Sequence, residues 1–360
     1  QPGEGLAYVH YGSITGLSLA PNVTLQVNLN NAAFGKSVAS AGDVNGDGYA
    51  DVVVGAPGAP GGGAVYIFQG SPGGLIPTVA LQLNGSPGSG FGSSVFKAGD
   101  VNGDGFSDVV IGAPGIDAAY VHMGSSTGLD PTPAATLAPS FPGSEFGHSV
   151  CTAGDVNGDG FSDVIIGAPS FSSGQVNEGA FFTYHGSITG ISTAYAYLYQ
   201  TEVVGARAGW SVAGAGDVNG DGYFDVIIGA DQASSPELNE GVGLFFYGSP
   251  SGVTNVGGLA LQRDQIGASL GTSVAEAGDV NGDGYADVVI GAPNFDNGAL
   301  NEGGVWVYLG GPTGLVLATP MGVELNTAGD NFGFAVAGGG DTDGDGYSDI
   351  MGGGPQRTSG

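Results

Sequence analysis

Along the chain, short bursts of Val, Ile, Tyr and Phe alternate with clusters of Gly, Asn, Asp and Pro. Apolar bursts closed by turn formers predict many short strands, and no stretch carries the 3.6-residue period of an amphipathic helix. The segment from Phe34 to Gly90 shows the pattern best. Phe34–Ser40 reads as a first strand, and Asp51–Gly55 as a second that ends in Gly55-Ala56-Pro57. Ala64–Phe68 is a third, closed by Gly70-Ser71, and Thr78–Leu83 a fourth.

This unit repeats. The nine residues from Asp43 to Asp51 return almost unchanged from Asp100, Asp155, Asp217, Asp279 and Asp341, at steps of 57, 55, 62, 62 and 62 residues. Such a period is long for a solenoid and suits a four-stranded propeller blade. The predicted fold is an all-β, six-bladed β-propeller of four-stranded antiparallel blades, one domain over residues 1–360. Its blades cover 34–90, 91–145, 146–207, 208–269, 270–331, and 332–360 joined with 1–33. The split blade follows from the two ends. The sixth copy stops at Gly354-Pro355 after its second strand, while Glu4–Ser13 reads as an orphan third strand. Glu4 precedes Phe34 by 30 residues, as Glu302 precedes Phe332. N-terminal strands that complete the last blade would close the ring and leave no open seam. A slice of a longer tandem array is the alternative.

Charge narrows the function. Five Lys and Arg stand against 34 Asp and Glu, for a formal net charge of −29. Nucleic acid and polybasic membrane contact need a cationic face and are excluded. No apolar run reaches the length of a membrane helix, so direct membrane insertion is not expected. The high Gly content is offset by 41% hydrophobic residues, which argues against disorder. The one cysteine, Cys151, lies in an apolar strand where a sister repeat has Ala39, and reads as a buried structural thiol.

The carboxylates need a counter-ion, and the repeated segment offers one a place. Each copy places oxygen side chains at positions 1, 3, 5 and 9 and a backbone carbonyl at position 7. The expected ligands are Asp43, Asn45, Asp47, Tyr49 and Asp51; Asp100, Asn102, Asp104, Phe106 and Asp108; and Asp155, Asn157, Asp159, Phe161 and Asp163. The later copies add Asp217, Asn219, Asp221, Tyr223 and Asp225; Asp279, Asn281, Asp283, Tyr285 and Asp287; and Asp341, Asp343, Asp345, Tyr347 and Asp349. Hard oxygen donors packed this closely suit Ca²⁺, which takes six to eight oxygens in loose geometry. Gly48 permits the sharp turn that folds the donors inward. The last carboxylate comes at position 9, not 12, and β-branched residues follow, so the loop is a strand–loop–strand hairpin and not an EF-hand. About six structural Ca²⁺ would move the formal charge from −29 to −17.

The chain resembles the FG-GAP repeat family, which includes the β-propeller of integrin α subunits. The resemblance rests on Phe34-Gly35 with Gly55-Ala56-Pro57, Phe91-Gly92 with Gly112-Ala113-Pro114, and Phe146-Gly147 with Gly167-Ala168-Pro169, each pair flanking an Asp-rich loop. Later units depart at single positions: Ala208-Gly209 with Gly229-Ala230-Asp231, Leu270-Gly271, and Gly353-Gly354-Pro355. Integrin propellers have seven blades, so no integrin-like ligand site is carried over. The resemblance implies a secreted, extracellular or cell-surface setting, adhesion or ligand recognition, and calcium in hairpins on one face.

Positions that vary between repeats are the better candidates for binding. Lys36, Ser93, His148, Trp210, Thr272 and Phe334 follow the FG dipeptide at the entry to the innermost strand. The loops between strands two and three vary in length; they are long at 171–177, 232–239 and 294–301, on the face opposite the calcium turns. Lys36, His148, Arg207, Trp210 and Phe334 are the candidate ligand residues, with Trp210 beside Arg207 as the anchor. Glu4, Glu178, Glu240 and Glu302 recur at the start of strand three and read as a turn contact. His10, His122 and His185 read as strand residues. No catalytic residue is assigned, since no nucleophile elbow, phosphate loop or zinc signature occurs. The expected function is a calcium-binding adhesion or protein-recognition module, a monomer or part of a larger protein, with a protein or glycan ligand. A lectin and a polysaccharide-active enzyme, or a non-catalytic domain of one, are the alternatives.

Overall fold

The second strand of each repeat is the easiest to explain. Runs such as Asp51-Val-Val-Val and Asp108-Val-Val-Ile are β-branched and apolar on both faces, which suits a strand covered on both sides. In the structure, a computed structural model that describes residues 2–13, 16–318 and 320–355, Asp108–Ala113, Asp225–Ala230 and Asp287–Ala292 are buried throughout. Burying each Val or Ile there contributes about 1.5–3 kcal/mol.

Five sheets are four-stranded, with strands in sequence order and antiparallel pairing in the pairs resolved. The first comprises Ser37–Gly42, Asp51–Ala56, Ala64–Phe68 and Leu81–Asn84. The second comprises Val95–Gly99, Asp108–Ala113, Ala118–His122 and Ala135–Leu137, and the third Ser149–Gly154, Asp163–Ala168, Ala180–Tyr184 and Tyr197–Gln200. The fourth comprises Ala208–Gly216, Asp225–Ala230, Val242–Tyr247 and Thr254–Leu261. The fifth comprises Ser273–Gly278, Asp287–Ala292, Gly304–Tyr308 and Met321–Glu324. A register shift at the Asp-rich turn, as between Ser40 and Gly42, marks a bulge where the first strand ends. The only helix among the described residues is a 3₁₀ turn at Pro114–Ile116. These repeated four-stranded antiparallel sheets are consistent with a β-propeller. No sixth four-stranded sheet forms among the described residues; the remaining strands make separate two-stranded sheets, Ala7–Val9 with Val23–Leu25, Gly12–Ser13 with Gly16–Leu17, and Ala335–Gly340 with Asp349–Gly353.

The chain forms two compact units, residues 1–152 with 159–166 and 183–196, and residues 153–158 with 167–182 and 197–360. The third sheet and its Asp-rich loop contribute residues to both. In the first unit, Val53, Val65, Ile67, Val95, Val109 and Ile111 form one apolar cluster, and Leu25, Phe34, Val54, Tyr66 and Phe68 another. In the second unit, Val289, Val305, Val307 and Val336 form a comparable cluster.

The FG and GAP glycines have a physical reason. Within the first unit, a Cβ at Gly55 would lie 2.1 Å from the Gly92 carbonyl oxygen, and one at Gly112 would lie 2.0 Å from that of Gly147. Within the second, Gly229 and Gly291 face Gly271 and Gly333 in the same way, at 1.9 Å each. The glycine next to the end of strand two of one sheet thus abuts the FG glycine of the next, backbone on backbone, where no side chain fits.

Candidate functional site

Each Asp-rich loop joins the first and second strands of its repeat. In the first loop, Asp43 Oδ1 accepts hydrogen bonds from the N–H groups of Gly46 (2.7 Å) and Asp47 (3.1 Å), and Oδ2 accepts from Gly48 N–H (2.8 Å). Asn45 Oδ1 accepts from Asp47 N–H (3.0 Å), while Asn45 Nδ2 donates to Asp47 Oδ2 (2.9 Å). Tyr49 N–H donates to Asp47 Oδ1 (2.9 Å). Asp51 is fully buried: Val44 N–H donates to its Oδ2 (3.0 Å), and Gly70 N–H, 19 residues away, donates to its Oδ1 (2.8 Å). The second, fourth and fifth loops repeat this pattern around Asp100, Asp217 and Asp279. In the third, Phe161 N–H donates to Asp159 Oδ1 and Gly186 N–H to Asp163 Oδ1.

Successive loops also touch. A Cβ on Gly46 would lie 2.6 Å from the Phe106 ring, one on Gly103 2.8 Å from Phe161, and one on Gly220 2.7 Å from Tyr285. The position-7 aromatic of one loop therefore rests on the position-4 glycine of the loop before it. Ser107 N–H donates to Asp43 O (3.0 Å) beside that contact. Both the aromatic at position 7 and the glycine at position 4 are explained by this stacking.

The position-9 carboxylates are electrostatically strained. Burial pushes Asp108 and Asp225 up to about 7, with neighbouring loop carboxylates adding, although two backbone N–H groups bind each one. Asp51 and Asp287 are raised for the same reason. Such groups need a proton or a cation. Each oxygen that accepts one N–H keeps a second lone pair. With the position-7 carbonyl, the donor set is all oxygen, so the residues fit a divalent cation of the calcium class.

The sixth loop differs. Asp341 accepts from Gly344 and Gly346 N–H as expected, and Asp343 Oδ1 accepts from Asp345 N–H (3.1 Å). Asp343, however, has no amide to donate to Asp345. Ligand atoms of Asp341, Asp343 and Asp345 lie within 4.8 Å of one another, the one such acidic group among the described residues. The hydroxyl and N–H of Thr342 donate to Asp349 Oδ2 and hold its carboxyl below the usual range. No glycine N–H reaches Asp349 Oδ1 among the described residues, unlike the other five copies.

At the opposite end of the sheets, the recurring glutamates are structural. Glu178, Glu240 and Glu302 are fully buried, and their Oε1 atoms accept from the N–H groups of Ser173, Ser235 and Asn297. Each closes the loop between strands two and three on itself. The same loops carry a feature that sequence reasoning missed. Val176, Leu238 and Leu300, each two residues before its glutamate, are 67%, 64% and 69% exposed. Their carbonyls accept from Gly205, Gly267 and Gly329 N–H, at 2.9 Å in all three, so the three tips are built alike. Val204 and Ile266 are exposed beside the first two. The readable signal was an aliphatic residue before Asn-Glu-Gly in three repeats.

The expected anchor is engaged internally. The Arg207 guanidinium lies 3.7 Å from the centroid of the Trp210 ring, and its Nε is 3.6 Å from Asp231 Oδ1. Burial raises Asp231 to about 6, against the opposing pull of Arg207. Phe334, in the same unit, is exposed. Lys36 and His148 belong to the other unit; Lys36 is exposed, and His148 lies 3.7 Å from Glu145. His10 Nδ1 bonds Ser18 O (2.8 Å) and His122 Nδ1 bonds Asp130 O (2.9 Å), which ties strand three to the following loop. Cys151 is buried. Among the described residues, no helix is long and apolar enough to cross a membrane.

The FG-GAP repeat family model matches residues 34–68, 91–122, 146–184, 208–243 and 270–308. Integrin alpha-4 of Xenopus laevis is 36% identical over 162 residues, which cover 44% of this chain and 15% of that protein. Integrin alpha pat-2 of Caenorhabditis briggsae is 32% identical over 225 residues (57% and 17%), and integrin alpha-V of Gallus gallus 31% over 221 (59% and 20%). The matches thus span a fifth of these relatives' length or less. A Bacteroides fragilis structure provisionally assigned as a 6-phosphogluconolactonase aligns with TM-score 0.50 at 10% identity, covering 88% of this chain and 81% of its own. That likeness concerns the fold alone.

Proposed function

The chain belongs to the FG-GAP repeat family, and from that premise we propose that it is a calcium-loaded, six-bladed β-propeller that serves outside the cell as a non-catalytic adhesion or protein-recognition module. Six oxygen-donor loops, one per repeat, support the ions. Millimolar extracellular calcium would fill even modest sites. The adhesion reading draws on the integrin α relatives.

Ring closure into one domain is part of this reading. Phe34 N–H donates to Glu4 O (2.8 Å), as Leu270 N–H does to Glu240 O (2.8 Å) and Phe332 N–H to Glu302 O (3.0 Å). Leu75 N–H donates to the Tyr11 hydroxyl (2.7 Å). Ala7–Val9 and Val23–Leu25 thus stand before the first sheet as the outer half of a blade. On this reading Ala335–Gly340 and Asp349–Gly353 supply its inner half. Val9 and Met351 occupy the repeat positions of Ile67 and Val53, which pair in the first sheet. A Val9→Cys, Met351→Cys variant should form an internal disulfide on mild oxidation. Reduced thiols or intermolecular products alone would refute closure.

The observation that carries recognition is the set of three like-built aliphatic tips, Val176, Leu238 and Leu300. Repetition without burial has no core or metal role to explain it, and exposed apolar residues on rigid loops favour a protein partner. Screening the calcium-loaded chain against extracellular proteins should yield a ligand whose binding is lost in Val176→Ser, Leu238→Ser, Leu300→Ser at an unchanged melting temperature. Full binding by that variant would defeat the assignment. Glycan binding is the second reading, favoured by a groove of about 260 Å³ lined by Asn84, Phe91, Tyr120 and His122. Glycan-array signal sensitive to Tyr120→Ala, with no protein ligand, would select it.

A further inference from the structure

We propose that Arg263 anchors the protein partner through a carboxylate: its guanidinium turns out from an aromatic floor and grips one Asp or Glu side chain of that partner. This rests on the protein-recognition reading above and adds to it the chemistry the partner must present.

Five Lys and Arg stand among 34 Asp and Glu, so a cation in this chain has no shortage of partners. Arg207 behaves accordingly, with Asp231 and Trp210 beside it. Arg263 does not. It is half-buried, and its Nε and Nη2 are closed off from solvent with no hydrogen-bond acceptor among the described residues. The guanidinium lies instead over two rings, 5.0 Å from the centroid of Trp306 and 5.6 Å from that of Tyr308. Phe295 packs edge-on against Trp306, with centroids 4.8 Å apart, and fixes that ring. Ring faces attract a cation, but they leave its N–H groups without acceptors, which is costly. Nε and Nη2 share one edge of the guanidinium fork. Their two parallel N–H groups match the two oxygens of a single carboxylate.

The repeat shows what this side chain covers. Arg263 stands two residues after Leu261, which pairs with Gly243; the same place in the first sheet holds Gly85, two residues after Leu83, which pairs with Val65. Trp306 and Tyr308 take the positions of Tyr120 and His122. Where Gly85 stands, a groove of about 260 Å³ is open over Tyr120 and His122. Arg263 fills the corresponding place. Turning it outward therefore uncovers an aromatic floor and frees the donor edge together. The adjoining surface is aliphatic. Gln262 Nε2 donates to Ser235 O, and Gly267 N–H to Leu238 O (2.9 Å), so residues 262–267 lie against the loop that carries Leu238. Leu238 and Ile266 are both exposed. A cation among aliphatic tips suits an acidic residue flanked by apolar ones. A polysaccharide with an acid on every unit would meet the full repulsion of a net charge of −29, so a peptide is favoured.

The test uses the calcium-loaded full chain carrying Trp210→Phe, which leaves Trp306 as its one tryptophan. Tryptophan emission is followed during titration with acetyl-Leu-Asp-Leu-amide, beside the matching Leu-Asn-Leu peptide and glucuronate. The Asp peptide should change the emission saturably, and the Asn peptide should bind about tenfold more weakly. Arg263→Gln and Arg263→Lys should each weaken the Asp peptide by about tenfold, since lysine lacks the fork. Thermal melts establish that each variant is folded. A purely structural arginine would move the melting temperature and leave the Asp-peptide affinity unchanged. Equal binding of the two peptides, binding that survives Arg263→Gln, a response to glucuronate alone, or no response at millimolar peptide overturns the inference. If binding survives Arg263→Gln but is lost in Val176→Ser, Leu238→Ser, Leu300→Ser, the anchor fails and the recognition reading stands. The reverse result sustains the anchor and defeats the tips.

Discussion

The two ends of each sheet obey different rules. At one end, the Asp-rich loops are nearly identical, hydrogen-bonded within themselves, and stacked ring on glycine from one to the next. At the other, the loops between strands two and three differ in length, close on a buried glutamate in only some repeats, and expose aliphatic tips only at Val176, Leu238 and Leu300 among these glutamate loops. Uniformity marks what every repeat needs in order to stand beside its neighbour. Variation marks what a single repeat can afford to change, and the proposed recognition surface lies there.

The comparison is broken most forcefully by removing the ions. Chelation should lower unfolding stability by more than about 5 kcal/mol, since even two sites held at 100 times their Kd contribute about 2.7 kcal/mol each. A melting curve unchanged in excess EGTA, with metal loss verified, would leave the uniform end without its counter-ions. Next in size, Gly55→Ala puts a methyl 2.1 Å from the Gly92 carbonyl and should cost about 3 kcal/mol in urea unfolding. A cost below 1 kcal/mol, roughly, would mean the glycine contact can relax.

A smaller effect sharpens the variable end. Asp231 is raised to about 6, so the folded chain binds its proton more tightly than the unfolded chain does. Its contribution is full below about pH 4 and is lost as pH rises through about 6, a change of about 2–3 kcal/mol. In saturating calcium, the difference between wild type and Asp231→Asn should follow that window; a flat difference would show that Arg207 fully compensates. Smallest of all, Leu238→Ser should move stability by less than about 0.5 kcal/mol, because the residue stands in solvent. A larger loss would mean the tip packs on something and is not a free contact residue.

Much of this was legible in the residues alone. The third strand, Ala64–Phe68, was placed without error, and the second needed only Ala56 added, because β-branched runs ended by Gly and Pro allow little else. The fourth strand was expected at Thr78–Leu83 and lies at Leu81–Asn84, an outer strand with a weak apolar pattern. The loop donors were legible because six copies align. The bond from Gly70 N–H to Asp51 was not, since it spans 19 residues, although a glycine after strand three in every repeat hinted at it. Trp210 stands out in the sequence as an aromatic beside Arg207. Pattern cannot reveal that the pair is satisfied by itself and by Asp231.

One consequence follows from the paired glycines of adjacent sheets. Because main chain meets main chain there, the angular step from one sheet to its neighbour is set by polypeptide geometry common to all sequences. Side chains on either side are free to drift, and loops to lengthen, without retuning that step. Such a frame tolerates change in its outer loops while the step between neighbouring sheets stays the same.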